Sequence, residues 1–326
     1  PRSIPGLMKP TPAPPPATSE EPRGLAADGA PAPSADGPAA VLAQVRERVA
    51  AGEPLAGGLA GAFYRAVHAL DPGATEDTLA PLPGNSGMHL YESLVGWASL
   101  VPGERVLDIG CGSGGASRAA AAAVGPDGLV LGVDPVPEAL ALARERTPAG
   151  LPVIYREGWG ERLTTVPDRS FDCVLASLVL DQVGSLEPFL REVMRVLRPG
   201  GRMVATVAAF DQLRPFDMGL MGSVLAVVGR HARGGLSGRA SRASIPNEPN
   251  DVAAFKTVGL AAPEERGLQL VAVMDDVESA WALFSRTYIG YMLAAEGQEA
   301  LRAALDRRVP HILHIPFRFV RTRRPG

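Results

Sequence analysis

The hydrophobic residues in the central part of the chain follow two alternating patterns. Between residues 104 and 208, short apolar runs alternate with stretches in which apolar residues recur every three or four positions. Short apolar runs are typical of strands buried on both faces, and the longer spacing is typical of amphipathic helices. Five strands are predicted from these runs, in the segments ERVLDIG, LVLGVD, PVIYR, FDCVLASL and RMVATVAAF. Helices are predicted over residues 115–124, 136–146 and 186–197. This alternation predicts a parallel sheet with right-handed crossovers.

The pattern is helical before this region. Val41, Val45 and Val49 recur at every fourth position and predict a helix. Two more helices are predicted over residues 59–70 and 88–100. The segment between these two, DPGATEDTLAPLPGNSG, is rich in turn-forming residues and is predicted to be a loop.

The alternation stops after residue 208. Residues 209–247 contain the apolar piece MGLMGSVLAVVG and then a stretch rich in Gly, Arg and Ser, which predicts an inserted lid helix followed by a mobile loop. Beyond the insertion, helices are predicted over 250–257, 276–294 and 297–307, and strands near 267–274 and in HILHIPFRFVRT.

These signals divide the chain into five parts. Residues 1–38 hold eleven of the 31 prolines and too few apolar residues for a core, so we expect a disordered extension. The other parts are a helical cap, the strand-and-helix core, the lid insertion and a C-terminal completion of the same domain, over residues 39–103, 104–208, 209–247 and 248–326.

Charge and cysteine content narrow the range of partners. The formal net charge is −3, whereas proteins that bind nucleic acid usually carry a basic surplus, so no nucleic-acid partner is expected. No apolar run approaches the length of a membrane span. The two cysteines, Cys111 and Cys173, give no disulfide framework, and a reducing cytoplasm is expected.

A glycine-rich loop follows the first predicted strand. Gly110, Gly112 and Gly115 have the spacing of the dinucleotide-binding fingerprint, in which a ligand approaches the backbone and the start of a helix. Asp108, two residues before the loop, would repel a pyrophosphate but favour a cationic ligand. Asp134 ends the second strand, where a carboxylate can accept hydrogen bonds from ribose hydroxyls. These residues predict a nucleoside ligand.

Four segments together resemble the successive motifs of a known family. VLDIGCGSGGAS, LVLGVD, FDCVLASLVLDQV and EVMRVLRPGGRMV, within about residues 104–208, resemble those of class I S-adenosylmethionine-dependent methyltransferases. The pattern is similar to that of the small-molecule enzymes of ubiquinone and menaquinone biosynthesis. The resemblance implies an α/β fold with a seven-stranded, mostly parallel, doubly wound sheet whose last strand is antiparallel. It also implies S-adenosyl-L-methionine as the cofactor.

The resemblance further implies methyl transfer to an O, C or N atom of a small, hydrophobic, natural-product or quinone-like acceptor. The alternative is a non-methylating enzyme, such as a cyclase, on the same fold, because a fold does not fix the chemistry. No metal is expected, and a homodimer is left open.

The resemblance also assigns residues to the cofactor. The expected contacts are Asp108, Gly110, Cys111, Gly112, Asp134, Pro135, Trp159, Gly160, Ser177 and Leu178. Where the family usually has Gly-Asp-Ala after the third strand, this chain has Gly-Trp-Gly-Glu over 158–161. Trp159 would stack on the adenine, or Glu161 would reach the adenine amino group. The alternative is that Trp159 packs in the core.

Two residues are candidates for a general base. His89 lies in a Gly-Met-His sequence loosely similar to one in quinone methyltransferases, and its segment is expected over the cofactor site. Asp181-Gln182 stands where the family often has a His pair or Glu-His. Asp181 would otherwise cap the neighbouring helix or form a salt bridge with it. The other four histidines, including His68, are also candidates.

Two apolar helical surfaces are candidates for an acceptor pocket. On the predicted helix 276–294 the aromatic residues recur at i, i+3, i+7 and i+10, and the insertion offers a second surface. The expected acceptor contacts are Met218, Met221, Trp281, Phe284 and Tyr288. The alternative is that both surfaces pack only against the sheet or against each other.

Overall fold

The computed structural model describes residues 37–53, 55, 58–183, 185–232 and 249–326, with the side chains of 249–251 excepted. The predicted disordered extension falls outside the described residues except at its end, and so does the predicted mobile loop after residue 232. Gly37 precedes the first helix, which begins at Pro38. Proline suits a first helical position, where its missing N–H has no partner to lose.

A mixed sheet of seven strands forms the centre of the molecule, in the order β3-β2-β1-β4-β5-β7-β6. The strands are β1 Arg105–Ile109, β2 Leu129–Asp134, β3 Val153–Glu157, β4 Phe171–Ser177, β5 Leu197–Ala208, β6 Glu264–Met274 and β7 His311–Arg323. The first five strands are parallel, and β7 runs antiparallel to both β5 and β6. The predicted α/β sheet with an antiparallel last strand is therefore confirmed.

Twelve helices surround the sheet in the part of the chain that is described. They are α1 Pro38–Ala50, α2 Leu59–Leu70, α3 Ala74–Leu79, α4 Leu90–Ala98, α5 Gly115–Val124, α6 Pro137–Arg146, α7 Leu186–Val196, α8 Met218–His231, α9 Pro249–Thr257, α10 Val277–Ser285, α11 Tyr288–Met292 and α12 Ala295–Asp306. Most lie within two residues of their predicted ranges, and two differences concern the site.

Helix α3 occupies part of the segment predicted to be a loop. Glu76 and Asp77 lie in its first turn, where their charge favours the positive end of the helix dipole. The helix has only six residues, too few to be stable without tertiary contacts. Those contacts are ion pairs of Glu76 with Arg118 and of Asp77 with Arg146. Local composition could not reveal partners so distant along the chain.

The predicted helix 276–294 is broken in two. Helix α10 ends at Ser285, and Thr287 has an extended backbone before α11 begins. The Thr287 hydroxyl donates to the carbonyl of Phe284 at 2.7 Å, which satisfies an acceptor at the end of α10. A Cβ added at Gly290 would lie 2.2 Å from the carbonyl oxygen of Ser285, so the two segments approach as only glycine allows. The aromatic residues that were predicted to share one helix face are therefore divided between α10 and α11.

The apolar residues form layers on both faces of the sheet and a third cluster beyond it. One face packs against α7 and the other against α4 and α5. The third cluster joins α1, α2, α8, α10, α11 and α12. Helix α8 confirms the helix predicted in the insertion, and its buried face packs into this third cluster, mainly against α12. None of the described helices is both long and apolar enough to span a membrane.

Candidate functional site

The glycine loop opens a cleft at the carboxyl ends of the parallel strands. Gly110, Gly112 and Gly114 all have positive φ, at +68°, +50° and +89°, which favours glycine at each position. A Cβ at Gly112 would meet no protein atom within 4 Å, so this backbone faces the cleft. Helix α5 begins directly afterwards and presents free N–H groups, which favour polar or anionic ligand groups.

Asp108 lies fully buried beneath the loop. Its Oδ2 accepts a hydrogen bond from the Ser117 hydroxyl at 2.6 Å, while Oδ1 has no partner among the described residues. Burial raises the pKa of the Asp108 carboxyl to about 7, and the nearby carboxylate of Asp134 adds to the effect. A buried carboxylate with an unused oxygen would be stabilised by a cationic or hydrogen-bond-donating ligand group.

Asp134 links the end of β2 to the loop. Its Oδ2 accepts the N–H of Gly112 at 2.8 Å, and its Oδ1 accepts the N–H of Val136 at 2.9 Å. Burial raises the pKa of Asp134, although these two hydrogen bonds oppose the shift. Each carboxylate oxygen can accept two hydrogen bonds, so the fixed carboxylate can still accept from a diol.

The structure brings all ten predicted cofactor residues to the lining of this one cleft. Trp159 is half-buried and belongs to none of the core clusters, so it does not pack in the core. The guanidinium of Arg65 lies 5.1 Å from the centre of the Trp159 ring, and Glu161 also lines the cleft. Leu178 has a positive φ of 59°, which is strained for a branched side chain and common at functional sites.

Several further residues that line the cleft were not assigned to it from the sequence. Tyr64, Arg65 and His68 reach it from α2, Glu76 reaches it from α3, and Gln182 follows β4. The signal for α2 was present, because Tyr64 and His68 are four residues apart and share one face of a helix that is apolar except for these residues and Arg65. The position of Glu76 in the cleft depends on α3, and the segment that forms α3 was predicted to be a loop.

Neither predicted base lines the cleft. His89 caps α4, and its Nδ1 lies 3.2 Å from the carbonyl oxygen of Leu82. The expectation that His89 lies over the cofactor site therefore finds no support. Asp181 is partly buried; it accepts the backbone N–H of Ala208, and its Oδ1 has no partner among the described residues. Burial raises the pKa of Asp181 to about 6.

The predicted acceptor contacts lie away from the cleft. Met221 and Phe284 are buried in the cluster that joins α8 to α10–α12, and Trp281 packs against its edge. Met218 is 54% exposed. Tyr288 alone approaches the cleft indirectly, because its hydroxyl lies 2.8 Å from Nε2 of His68. Within the described part of the chain, the aromatic residues of α10 and α11 therefore pack mainly in or against this apolar cluster.

Comparison with known proteins agrees with this geometry. A family model described as "Methyltransferase domain" matches residues 107–205. The chain is 34% identical over 162 residues to the 2-phytyl-1,4-naphtoquinone methyltransferase of Synechococcus elongatus, covering 45% of this chain and 67% of that protein. It therefore belongs to the class I S-adenosylmethionine-dependent methyltransferases.

Two further relatives match shorter segments. The demethylmenaquinone methyltransferase of Tropheryma whipplei is 37% identical over 114 residues, covering 35% of this chain and 45% of that protein. The arsenite methyltransferase of Halobacterium salinarum is 38% identical over 122 residues, covering 37% of this chain and 30% of that protein. The chain thus spans less than half the length of these two relatives.

Proposed function

We propose that the cleft binds S-adenosylmethionine and that the protein transfers its methyl group to an O, C or N atom of a small, hydrophobic acceptor. The observation that carries this proposal is the convergence of Asp108, the glycine loop and Asp134 on one cleft. When bound, the cofactor supplies an electrophilic sulfonium methyl group. The protein holds the two reactants in line and excludes water, which can lower the barrier by roughly 7–11 kcal/mol.

The residues present fit this cofactor. The unused oxygen of Asp108 suits its cationic end, and Asp134 suits the ribose hydroxyls. The open backbone at Gly112 provides the close approach that a bound nucleoside requires. Trp159 and Glu161 both line the cleft, where the Trp159 ring would stack on the adenine.

The acceptor side is the wall built by α2 and by the residues after β4. Tyr64, His68, Gln182 and Val183 surround it with aromatic, polar and apolar groups. A flat ring bearing oxygen atoms suits this lining. The naphthoquinone and menaquinone names of two relatives favour the same class of acceptor.

Arsenite suits the chain less well. Trivalent arsenic prefers thiolate ligands, and the chain has only Cys111 and Cys173. Both thiols are buried, and burial raises their pKa. Cys111 and Cys173 also lie on separate elements, in the glycine loop and in β4 respectively.

A cytoplasmic location agrees with two free, buried cysteines. A homodimer is compatible with the fold, and sedimentation would test it. The alternative function is a non-methylating enzyme, such as a cyclase, that uses the same cofactor cleft.

The test is methyl transfer itself. Purified protein is incubated with methyl-labelled S-adenosylmethionine and a panel of reduced 1,4-naphthoquinone, simple phenols, primary amines and arsenite. We expect label in an aromatic oxygen-containing acceptor. Calorimetry with S-adenosylmethionine, with NAD as the control ligand, tests the cleft separately. Tight cofactor binding without label in any acceptor would favour the alternative, and failure to bind the cofactor would overturn both.

A further inference from the structure

A chain of hydrogen bonds crosses the acceptor wall of the cleft. The side-chain amide nitrogen of Gln182 lies 2.8 Å from the carbonyl oxygen of Leu178 and 3.0 Å from the hydroxyl of Tyr288. That hydroxyl lies 2.8 Å from Nε2 of His68. Two residues that follow β4, one from α11 and one from α2 are therefore joined by a continuous set of hydrogen bonds.

The first donor in this set of hydrogen bonds is fixed by chemistry. A backbone carbonyl only accepts hydrogen bonds, so the Gln182 atom beside Leu178 is the amide nitrogen. That nitrogen has a second hydrogen, which it gives to the hydroxyl oxygen of Tyr288. The orientation of the Gln182 amide thus follows from its two partners.

The direction of the next bond follows from the first. Burial raises the pKa of Tyr288 well above its ordinary value, so the hydroxyl keeps its proton. Its oxygen already accepts from Gln182, and among the described residues only His68 is within reach of its proton. Burial also lowers the pKa of His68, so its ring is neutral and Nε2 can accept. A neutral imidazole that accepts at Nε2 carries its proton on Nδ1.

The Nδ1 edge of the His68 ring is accessible from the cleft. His68 is half-buried and lines the cleft beside Tyr64. Its Nδ1 has no hydrogen-bond partner among the described residues, yet it is not among the atoms buried without one. The Nδ1–H group is therefore accessible, and the cleft is the space that the residue lines.

We propose that His68 donates the Nδ1 proton in a hydrogen bond to an oxygen atom of the acceptor, and that Tyr288 and Gln182 are positioning residues that hold His68 in this tautomer. The inference rests on the proposed function, which supplies the acceptor. It narrows that acceptor to molecules with an accepting oxygen near the methylated atom, such as a quinol, a phenol or a ring carbonyl. In this arrangement His68 is a neutral donor that orients the acceptor, rather than a base that removes its proton.

Two isosteric substitutions separate the two ring nitrogens. In His68→Gln the amide reaches the position of Nε2, whereas in His68→Asn the shorter amide reaches that of Nδ1. The probe is reduced 1,4-naphthoquinone, titrated by calorimetry into the complex with S-adenosylhomocysteine. We expect His68→Gln to weaken its affinity by about three- to tenfold, as loss of one hydrogen bond predicts. His68→Asn should bind the probe at least about threefold more tightly than His68→Gln does.

A matched pair of tyrosine variants tests the positioning residues. Tyr288→Phe removes the hydroxyl beside His68, whereas Tyr291→Phe removes one on the same short helix that donates to Asp71 instead. Nitrogen-15 spectra of the histidine rings report the tautomer directly, and the His68 signals are those missing from His68→Gln. We expect an unprotonated Nε2 and a protonated Nδ1 in the unaltered protein, and loss of this preference in Tyr288→Phe alone.

The outcomes distinguish this inference from the proposed function. A protonated Nε2, or equal probe affinity in His68→Gln and the unaltered protein, would overturn the role of His68 while methyl transfer could still be observed. Conversely, a fixed tautomer with no methylated acceptor in the panel would confirm the tautomer of His68 and favour the non-methylating alternative over methyl transfer. If the probe itself does not bind, the steady-state KM of any acceptor that is labelled replaces its affinity in the same comparison.

Discussion

Arg286 donates two hydrogen bonds to the carboxylate of Asp71, at 2.6 and 2.8 Å, and thereby ties the residues before α11 to the end of α2. The hydroxyl of Tyr291 donates to the same carboxylate at 2.8 Å. The ion pair between Arg286 and Asp71 holds α2, which carries Tyr64 and His68, beside the helix that carries Tyr288. The proposed acceptor wall thus depends on an ion pair that lies outside the cleft.

Replacing Asp71 with Asn should loosen this connection. The carboxylate is partly buried and its two bonds to Arg286 are bidentate, so we expect the loss to be about 1–2 kcal/mol, larger than for a typical exposed pair. The hydrogen bond from Arg286 holds the pKa of Asp71 below its ordinary value. The stability that the Asp71 carboxylate contributes is therefore present at neutral pH and is lost as the pH falls through that lowered pKa.

Thermal melts at pH 7 and at about pH 3 check this prediction. Asp71→Asn should melt several degrees lower than the unaltered protein at pH 7, and the difference should shrink in acid. The exposed pair Arg191–Glu187 offers a control, because Glu187→Gln should change the melting temperature little. A difference that stays constant with pH would mean that the side chain acts by packing alone.

The stability contributed by Asp108 should change with pH in the opposite direction to that contributed by Asp71. The folded-state pKa of Asp108, about 7, lies above the ordinary value of 3.8, so the folded protein holds the proton more tightly than the unfolded chain. The stability contributed by Asp108 is therefore full below about pH 4 and falls as the pH rises through 7, by at most about 1.4 kcal/mol per pH unit. The melting temperature of the ligand-free protein should fall as the pH is raised from 5 to 8.

The Asp108→Asn variant should lose this effect, because its side chain does not titrate. We expect a smaller change in melting temperature between pH 5 and pH 8 than in the unaltered protein. Asp127→Asn, at an exposed turn, is the control and should behave like the unaltered protein. Identical pH profiles for Asp108→Asn and the unaltered protein would contradict the raised pKa.

Trp159 should report cofactor binding by its fluorescence. The other two tryptophans, Trp97 and Trp281, do not line the cleft, whereas Trp159 does. If the adenine stacks on the Trp159 ring, S-adenosylhomocysteine should change the emission of the unaltered protein and not that of Trp159→Phe. Trp281→Phe should keep the response. Loss of stacking area in Trp159→Ala should weaken the affinity by roughly tenfold, since a stacked pair contributes about 0.5–1.5 kcal/mol beyond its buried area.

Among the residues that line the cleft, those of the glycine loop and the strand ends could be predicted from the sequence far better than those of α2 and α3, for a physical reason. Asp108, Gly112 and Asp134 lie at or just beyond the carboxyl ends of buried parallel strands, so hydrophobic periodicity and local turn chemistry are enough to locate them. His68 and Glu76 reach the cleft only because distant helices dock above the sheet. His68 needs the contact with Tyr288, and Glu76 needs Ser113 and Arg118. Periodicity reports which face of a helix is apolar but not which neighbour covers it.

Phe284 and Met218 were both predicted to contact the acceptor, and the structure places them in contrasting environments. Phe284 is buried among α8 and α10–α12, so Phe284→Ala should cost about 3–5 kcal/mol of stability by leaving a cavity. Met218 is exposed at the start of α8, so Met218→Ala should change the free energy of unfolding by less than about 0.5 kcal/mol. Denaturant unfolding of both variants gives these values, and titration with S-adenosylhomocysteine shows whether the folded fraction keeps its cofactor affinity. Since neither residue lines the cleft, we expect that affinity to be unchanged in both. Turnover by Met218→Ala should also equal that of the unaltered protein. A loss of acceptor turnover in Met218→Ala at unchanged stability would instead place α8 over the acceptor, as the sequence first indicated.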